Sequence, residues 1–83
     1  MILKPSAIKQ LDGLNEKDAK KVAAKIDLLE TDASPIGAKK LKGHDGLWRL
    51  RFGDYRIIYT APDDENVIRV LKIANRANVY RLL

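Results

Sequence analysis

The chain has 83 residues, 46% of them hydrophobic, no cysteine and a formal net charge of +5, which describes one small packed domain near the size where a single core is only just sufficient. Lack of cysteine excludes a disulfide framework, thiol chemistry and cysteine-ligated zinc. No apolar run reaches membrane-spanning length and no leader pattern opens the chain, so a soluble cytoplasmic protein that avoids membranes and prefers a polyanionic partner is expected.

Ile2-Leu3 suggests a very short strand ahead of Pro5. Ser6 is placed to cap a helix from Ala7 to about Asp12, with Ile8 and Leu11 on one face and Gly13 as its stop. Asn15 is the expected cap of a second helix, whose first turn carries Glu16 and Asp18 where the macrodipole favours negative charge. Ala19, Val22, Ala23, Ile26 and Leu29 recur at helical spacing and form a core-facing stripe. Lys17, Lys20, Lys21 and Lys25 take the remaining surface, a solvated face with ion pairing to Asp18 and Asp27. Ser34-Pro35 and Gly37 end this helix near Thr31 and open a loop. The loop continues as a basic, glycine-punctuated run from Ala38 to Gly46.

From Leu47 to Tyr59 the pattern is a β-hairpin, two alternating runs around the turn Gly53-Asp54. With those residues as the loop, Phe52 faces Tyr55, Leu50 faces Ile57 and Trp48 faces Tyr59, giving one apolar face that must be buried. The other face carries Arg49, Arg51 and Arg56, with Arg51 directly across from Arg56. Like charges opposite one another in a ladder are destabilising by a fraction of a kcal/mol, and a sheet that tolerates them usually has an anion to meet, which is the clue here. The acidic turn Pro62 to Asn66 then leads to Val67–Ala74, too apolar on both faces for an edge strand. Its register stays open: Ile68 and Val70 share a face with Lys72, while Val67, Leu71 and Ile73 share one with Arg69. After Asn75-Arg76-Ala77-Asn78 comes the short tail Val79–Leu83. The expected fold is α+β, ordered βααβββ, with two N-terminal helices on one face of a small antiparallel sheet.

The sheet face left open collects the basic residues. Arg49, Arg51 and Arg56 come from the hairpin, Lys39, Lys40 and Lys42 from the run before it, and Arg76, Tyr80 and Arg81 from the end. Guanidinium forks bind phosphate bidentately, so three on one surface make a strong oxyanion site. Tyr80 can stack a base or position a phosphate oxygen. Taken singly, each arginine could be merely solvated and the tyrosine merely packed; their joint placement carries the signal. His44 is the only histidine and no G-x-S-x-G nucleophile motif accompanies it. Asp63, Asp64 and Glu65 read as a solvated acidic loop, and Gly43, Gly46 and Gly53 lack phosphate-loop spacing. No metal and no cofactor is expected.

The run from Lys40-Leu41-Lys42-Gly43 through Leu47-Trp48-Arg49-Leu50-Arg51-Phe52-Gly53-Asp54-Tyr55-Arg56-Ile57-Ile58-Tyr59, followed by a hydrophobic strand and Asn75-Arg76-Ala77-Asn78-Val79-Tyr80-Arg81, resembles the RelE/ParE superfamily of bacterial and archaeal toxins. Two preceding helices match its layout, so the resemblance covers essentially the whole chain. In the RelE branch it implies a metal-independent endoribonuclease that enters the ribosomal A site and cleaves mRNA by attack of a 2′-hydroxyl on the adjacent phosphate. By that resemblance Arg49, Arg51, Arg56, Arg76 and Tyr80 are the catalytic set. Arg51, Arg56 and Arg76 would hold phosphate and transition-state charge, and Tyr80 would orient or stack on the substrate. Lys39, Lys40, Lys42 and Arg81 are the accompanying RNA-binding candidates. Arg49 stands where a lysine is common in the family. Arginine stays protonated, so either a neighbour such as Lys42 or Tyr80 serves as base, or ribosome-imposed alignment dominates. The N-terminal strand is also shorter than usual for the family. Implied partners are the ribosome, mRNA and a cognate antitoxin that forms a hetero-oligomer with the toxin. The alternative is a ParE-like DNA gyrase inhibitor that acts by binding alone, and a third reading is a plain RNA-binding module.

Overall fold

A computed structural model of the chain describes residues 1–32 and 34–75. The elements in order are β1 (Ile2–Leu3), α1 (Pro5–Asp12), α2 (Glu16–Leu28), β2 (Ala38–Lys40), β3 (Leu47–Phe52), β4 (Tyr55–Thr60) and β5 (Arg69–Asn75). One five-stranded sheet runs β1-β5-β4-β3-β2. The expected α+β class holds, with two corrections to the sheet. It is mixed rather than wholly antiparallel, because β1 pairs in parallel with β5. It also has an extra strand, β2, where the sequence suggested only a basic loop.

Helix α1 begins two residues earlier than Ser6 capping would place it. Pro5 occupies its first turn, where a missing N–H costs nothing, and Lys4 stands at the cap without a side-chain bond. Ser6 instead donates its hydroxyl to the carbonyl of Leu71 at 2.8 Å. Asn15 does cap α2, its side chain accepting from the Asp18 N–H at 2.8 Å. Asn15→Ala should therefore lower stability by about 1 kcal/mol, and urea titration followed by circular dichroism is the check. The helix stops at Leu28, and turn-type bonds carry the chain on to Asp32. The lysine face pairs differently from expectation: Lys20 meets Glu16 at 3.3 Å, while Asp18 accepts the Tyr55 hydroxyl at 2.8 Å. That bond, aided by burial and the nearby acids, raises the Tyr55 phenol above its ordinary value.

The core lies between the helices and one sheet face. Val22, Ile26 and Leu29 meet Leu50, Ile57, Tyr59, Val70 and Ile73, with Trp48, Phe52 and Tyr55 packed around them. All six hairpin residues expected on the apolar face are thus in the core or against it. The turn Gly53-Asp54 forms as read; Gly53 has φ +54 while Asp54 is not in the left-handed region, the pattern of a hairpin turn with glycine at its first central position.

Asp63 organises the β4–β5 connection. Its carboxylate accepts from the N–H groups of Glu65 and Val67 and pairs with Arg69 at 2.7 Å. The Arg69 bond first, then the backbone donor of Val67, hold its carboxyl below the ordinary aspartate value. A carboxyl lowered on folding contributes stability that is full above the unfolded value, about 3.9, and lost as pH falls through the folded one. Asp63→Asn should consequently flatten the dependence of the melting temperature on pH below about 4, read by calorimetry.

Candidate nucleic-acid interface

Strand pairing decides which cations share a surface. Lys39 pairs with Arg49, Arg49 with Ile58 and Ile58 with Lys72, forming one row from β2 to β5. A second row joins Arg51, Arg56 and Ala74. Both rows project from the face opposite the helices, because their neighbours Leu50, Ile57 and Ile73 point into the core. At about 4.8 Å between strands, the cations spread over roughly 14 Å. Among the described residues, Lys39, Arg49, Arg51 and Lys72 have no ion pair. These cations share the strand rows without a carboxylate partner among the described residues, an arrangement suited to an anion.

Arg51 is exposed, Arg49 and Lys72 half-exposed. Arg56 departs from the open placement expected of it. It is only 5% exposed, and its Nη1 donates to the carbonyls of Gly53 at 3.0 Å and Tyr55 at 2.9 Å. Those carbonyl dipoles offset the repulsion from Arg51 directly across the ladder. Ile58, on the same face, is fully buried.

Two other expectations change. Lys40 pairs with Trp48 and so lies on the helix-side face, its Nζ 5.9 Å from the indole centroid. It is not part of the cationic surface. Lys42 is exposed in the turn after β2, off the strand rows. Arg76, Tyr80 and Arg81 lie outside the described residues. Conversely, Lys72 was missing from the candidate residues, and the signal that finds it is a β-bulge. Ile58 pairs with Lys72 but the next residue, Tyr59, pairs with Val70. The extra residue lets Val70 and Ile73 both enter the core while Lys72 points to the other side.

Among the described residues no three His, Asp or Glu side chains converge as a metal site would need, and no helix is long and apolar enough to cross a membrane. A cleft of about 460 Å³ bordered by Met1, Glu30 and Pro62 takes no residue from the cationic face.

Comparison with known proteins adds a family. The family model for the ParE toxin of type II toxin–antitoxin systems, parDE, matches residues 1–80. The candidate toxin RelE1 of Methanocaldococcus jannaschii is 32% identical over 77 residues, 89% of this chain and 86% of that protein. The RelB–RelE antitoxin–toxin complex from Methanococcus jannaschii matches in fold with a TM-score of 0.78 at 20% identity, over 100% of this chain and 99% of the other. The archaeal RelE–RelB complex from Pyrococcus horikoshii OT3 gives 0.77 at 29% identity, over 93% of each chain. The isolated RelE toxin of E. coli gives 0.74 at 18% identity, over 99% and 96%.

Proposed function

The chain belongs to the RelE/ParE family of toxins from type II toxin–antitoxin systems, and on that footing we propose that it is a ribosome-dependent endoribonuclease cutting translated mRNA in the A site. The observation that best supports this reading is the sheet face on which Lys39, Arg49, Arg51 and Lys72 stand together without carboxylate partners among the described residues. In the proposed reaction the ribose 2′-oxygen bonds to the adjacent phosphorus as its proton leaves. The bond to the 5′-oxygen then breaks, and that oxygen takes up a proton. A cyclic phosphate end remains, which water can open to a 3′-phosphate.

Negative charge grows on the phosphoryl oxygens along this path, and fixed cations lower the barrier because they need not reorganise. Arg49 and Arg51 would take that task, and their position on the cationic rows supports the assignment. Arg56, held by two backbone carbonyls, would supply fixed charge beside Arg51 rather than a mobile hand. By family resemblance Arg76 and Tyr80 complete the set. No arginine is a good proton acceptor, so the 2′-hydroxyl depends on another group or on alignment by the ribosome.

RelE is bound to RelB in the Methanococcus jannaschii and Pyrococcus horikoshii structures that this fold matches. A cognate antitoxin is the corresponding partner here, and an acidic segment folding onto the cationic face would suit the charge of +5. Mapping mRNA ends in cells expressing wild type and Arg51→Ala tests the nuclease reading. Cuts inside translated codons that disappear in the variant are expected; intact mRNA with a DNA-damage response would replace this reading with gyrase inhibition.

A further inference from the structure

Strand β5 outruns its parallel neighbour. Backbone bonds from Ile2 to Ile68 and from Lys4 to Val70 mark the last contacts with β1 before Pro5 opens α1. Beyond that point two β5 backbone groups are taken by α1 side chains instead. Ser6 donates to the Leu71 carbonyl at 2.8 Å, and Gln10 accepts from the Ile73 N–H at 2.7 Å. Residues four apart on a helix share a face, so Ser6 and Gln10 grip β5 together on either side of Lys72. This is also where the register against β4 slips, Leu71 being the extra residue between Ile58–Lys72 and Tyr59–Val70. Bulges re-aim side chains and are over-represented beside functional sites. The side chain re-aimed is Lys72, a cation placed on a face already bearing Arg49 across Ile58.

A lysine beside Arg49, which has no ion pair among the described residues, is electrostatically unfavourable unless an anion joins them. Charge on a stacked nucleic-acid strand recurs about every 3.4 Å, so a face roughly 14 Å across spans more than one phosphate. We propose that Lys72 is a substrate-binding residue, contacting an RNA phosphate at the β5 end of the cationic face, and that the bulge clamped by Ser6 and Gln10 aims it there. The proposal rests on the RNA-cleaving reading above and extends the site by one phosphate contact.

The test measures binding of a labelled 2′-O-methyl RNA 12-mer, which cannot be cleaved, by fluorescence anisotropy across a salt series. Each lysine–phosphate contact adds about 0.7 to the slope of log K against log salt for a single strand. Lys72→Gln should lose that increment and Lys72→Arg should retain it. Lys9→Gln, on the exposed surface of α1, should leave the slope unchanged. An unchanged slope in Lys72→Gln, or no RNA binding by wild type, overturns the proposal. Because the probe is inert to cleavage, absence of mRNA cuts in cells would overturn the nuclease reading without deciding the role of Lys72.

Discussion

Arg51→Ala is expected to reduce mRNA cleavage by about 10²–10³-fold, the loss typical when one preorganised donor to a developing oxyanion is removed. Its effect on stability should be small and of opposite sign to the usual. Arg51 is exposed and has no ion pair among the described residues, and surface substitutions of that kind stay within about 0.5 kcal/mol. Deleting it also relieves repulsion from Arg56 directly across the ladder. A melting temperature equal to or slightly above wild type, with cleavage of programmed ribosomes nearly abolished, is the predicted pair of results. If cleavage persisted within a few-fold of wild type, Arg51 would be a solubilising residue and the face would have another purpose. Arg49→Ala should behave similarly. Arg56→Ala should not: removing a buried guanidinium bonded to Gly53 and Tyr55 should lower stability as well as activity.

The largest stability effect is expected at Tyr59. Its side chain is fully buried and stacks on Trp48 with ring centroids 6.4 Å apart. Truncating a buried aromatic to alanine costs about 3–5 kcal/mol, while a domain of this length has a total stability of about 4–12 kcal/mol. Tyr59→Ala should therefore be largely unfolded at 37 °C, with a midpoint lowered by well over 10 °C given about 4–8 °C per kcal/mol. The milder Ile57→Val should cost about 0.5–1.5 kcal/mol, and circular dichroism melts of both give the ranking. Burial first, and then the charge of Asp32, push the Tyr59 phenol up to about 12. For a phenol raised on folding, the neutral form is the one the fold favours. Its contribution is complete below the ordinary value of 10 and disappears as pH climbs through about 12. Tyr59→Phe should remove that part of the alkaline unfolding curve and leave the neutral-pH fold intact.

Local signals made much of this molecule legible. Asn15 capping depends on one side chain and an N–H three residues on, and the α2 stripe depends on a 3.6-residue period. The hairpin depends on a two-residue turn between alternating runs, so its register and the pairing of Arg51 with Arg56 followed directly. What escaped were the pairings between distant segments. β2 lies in a lysine-rich run without the alternation that marks a half-buried strand, and its pairing with Trp48, Arg49 and Leu50 makes it one. Ser6 has the chemistry of a helix cap, but a nearby strand carbonyl claims it.

The amino-acid order by itself determined two amphipathic helices, a hairpin with a greasy side and an arginine side, and a net charge that wants an anion. Tertiary structure decided that Arg56 is buried, that Lys40 turns away and that Lys72 joins the cationic face. The physical reason is that side-chain direction along a strand alternates every residue, so a single extra residue at a bulge reverses it. Whether such a residue exists depends on what α1 and β4 offer the backbone of β5, which no short window of sequence contains.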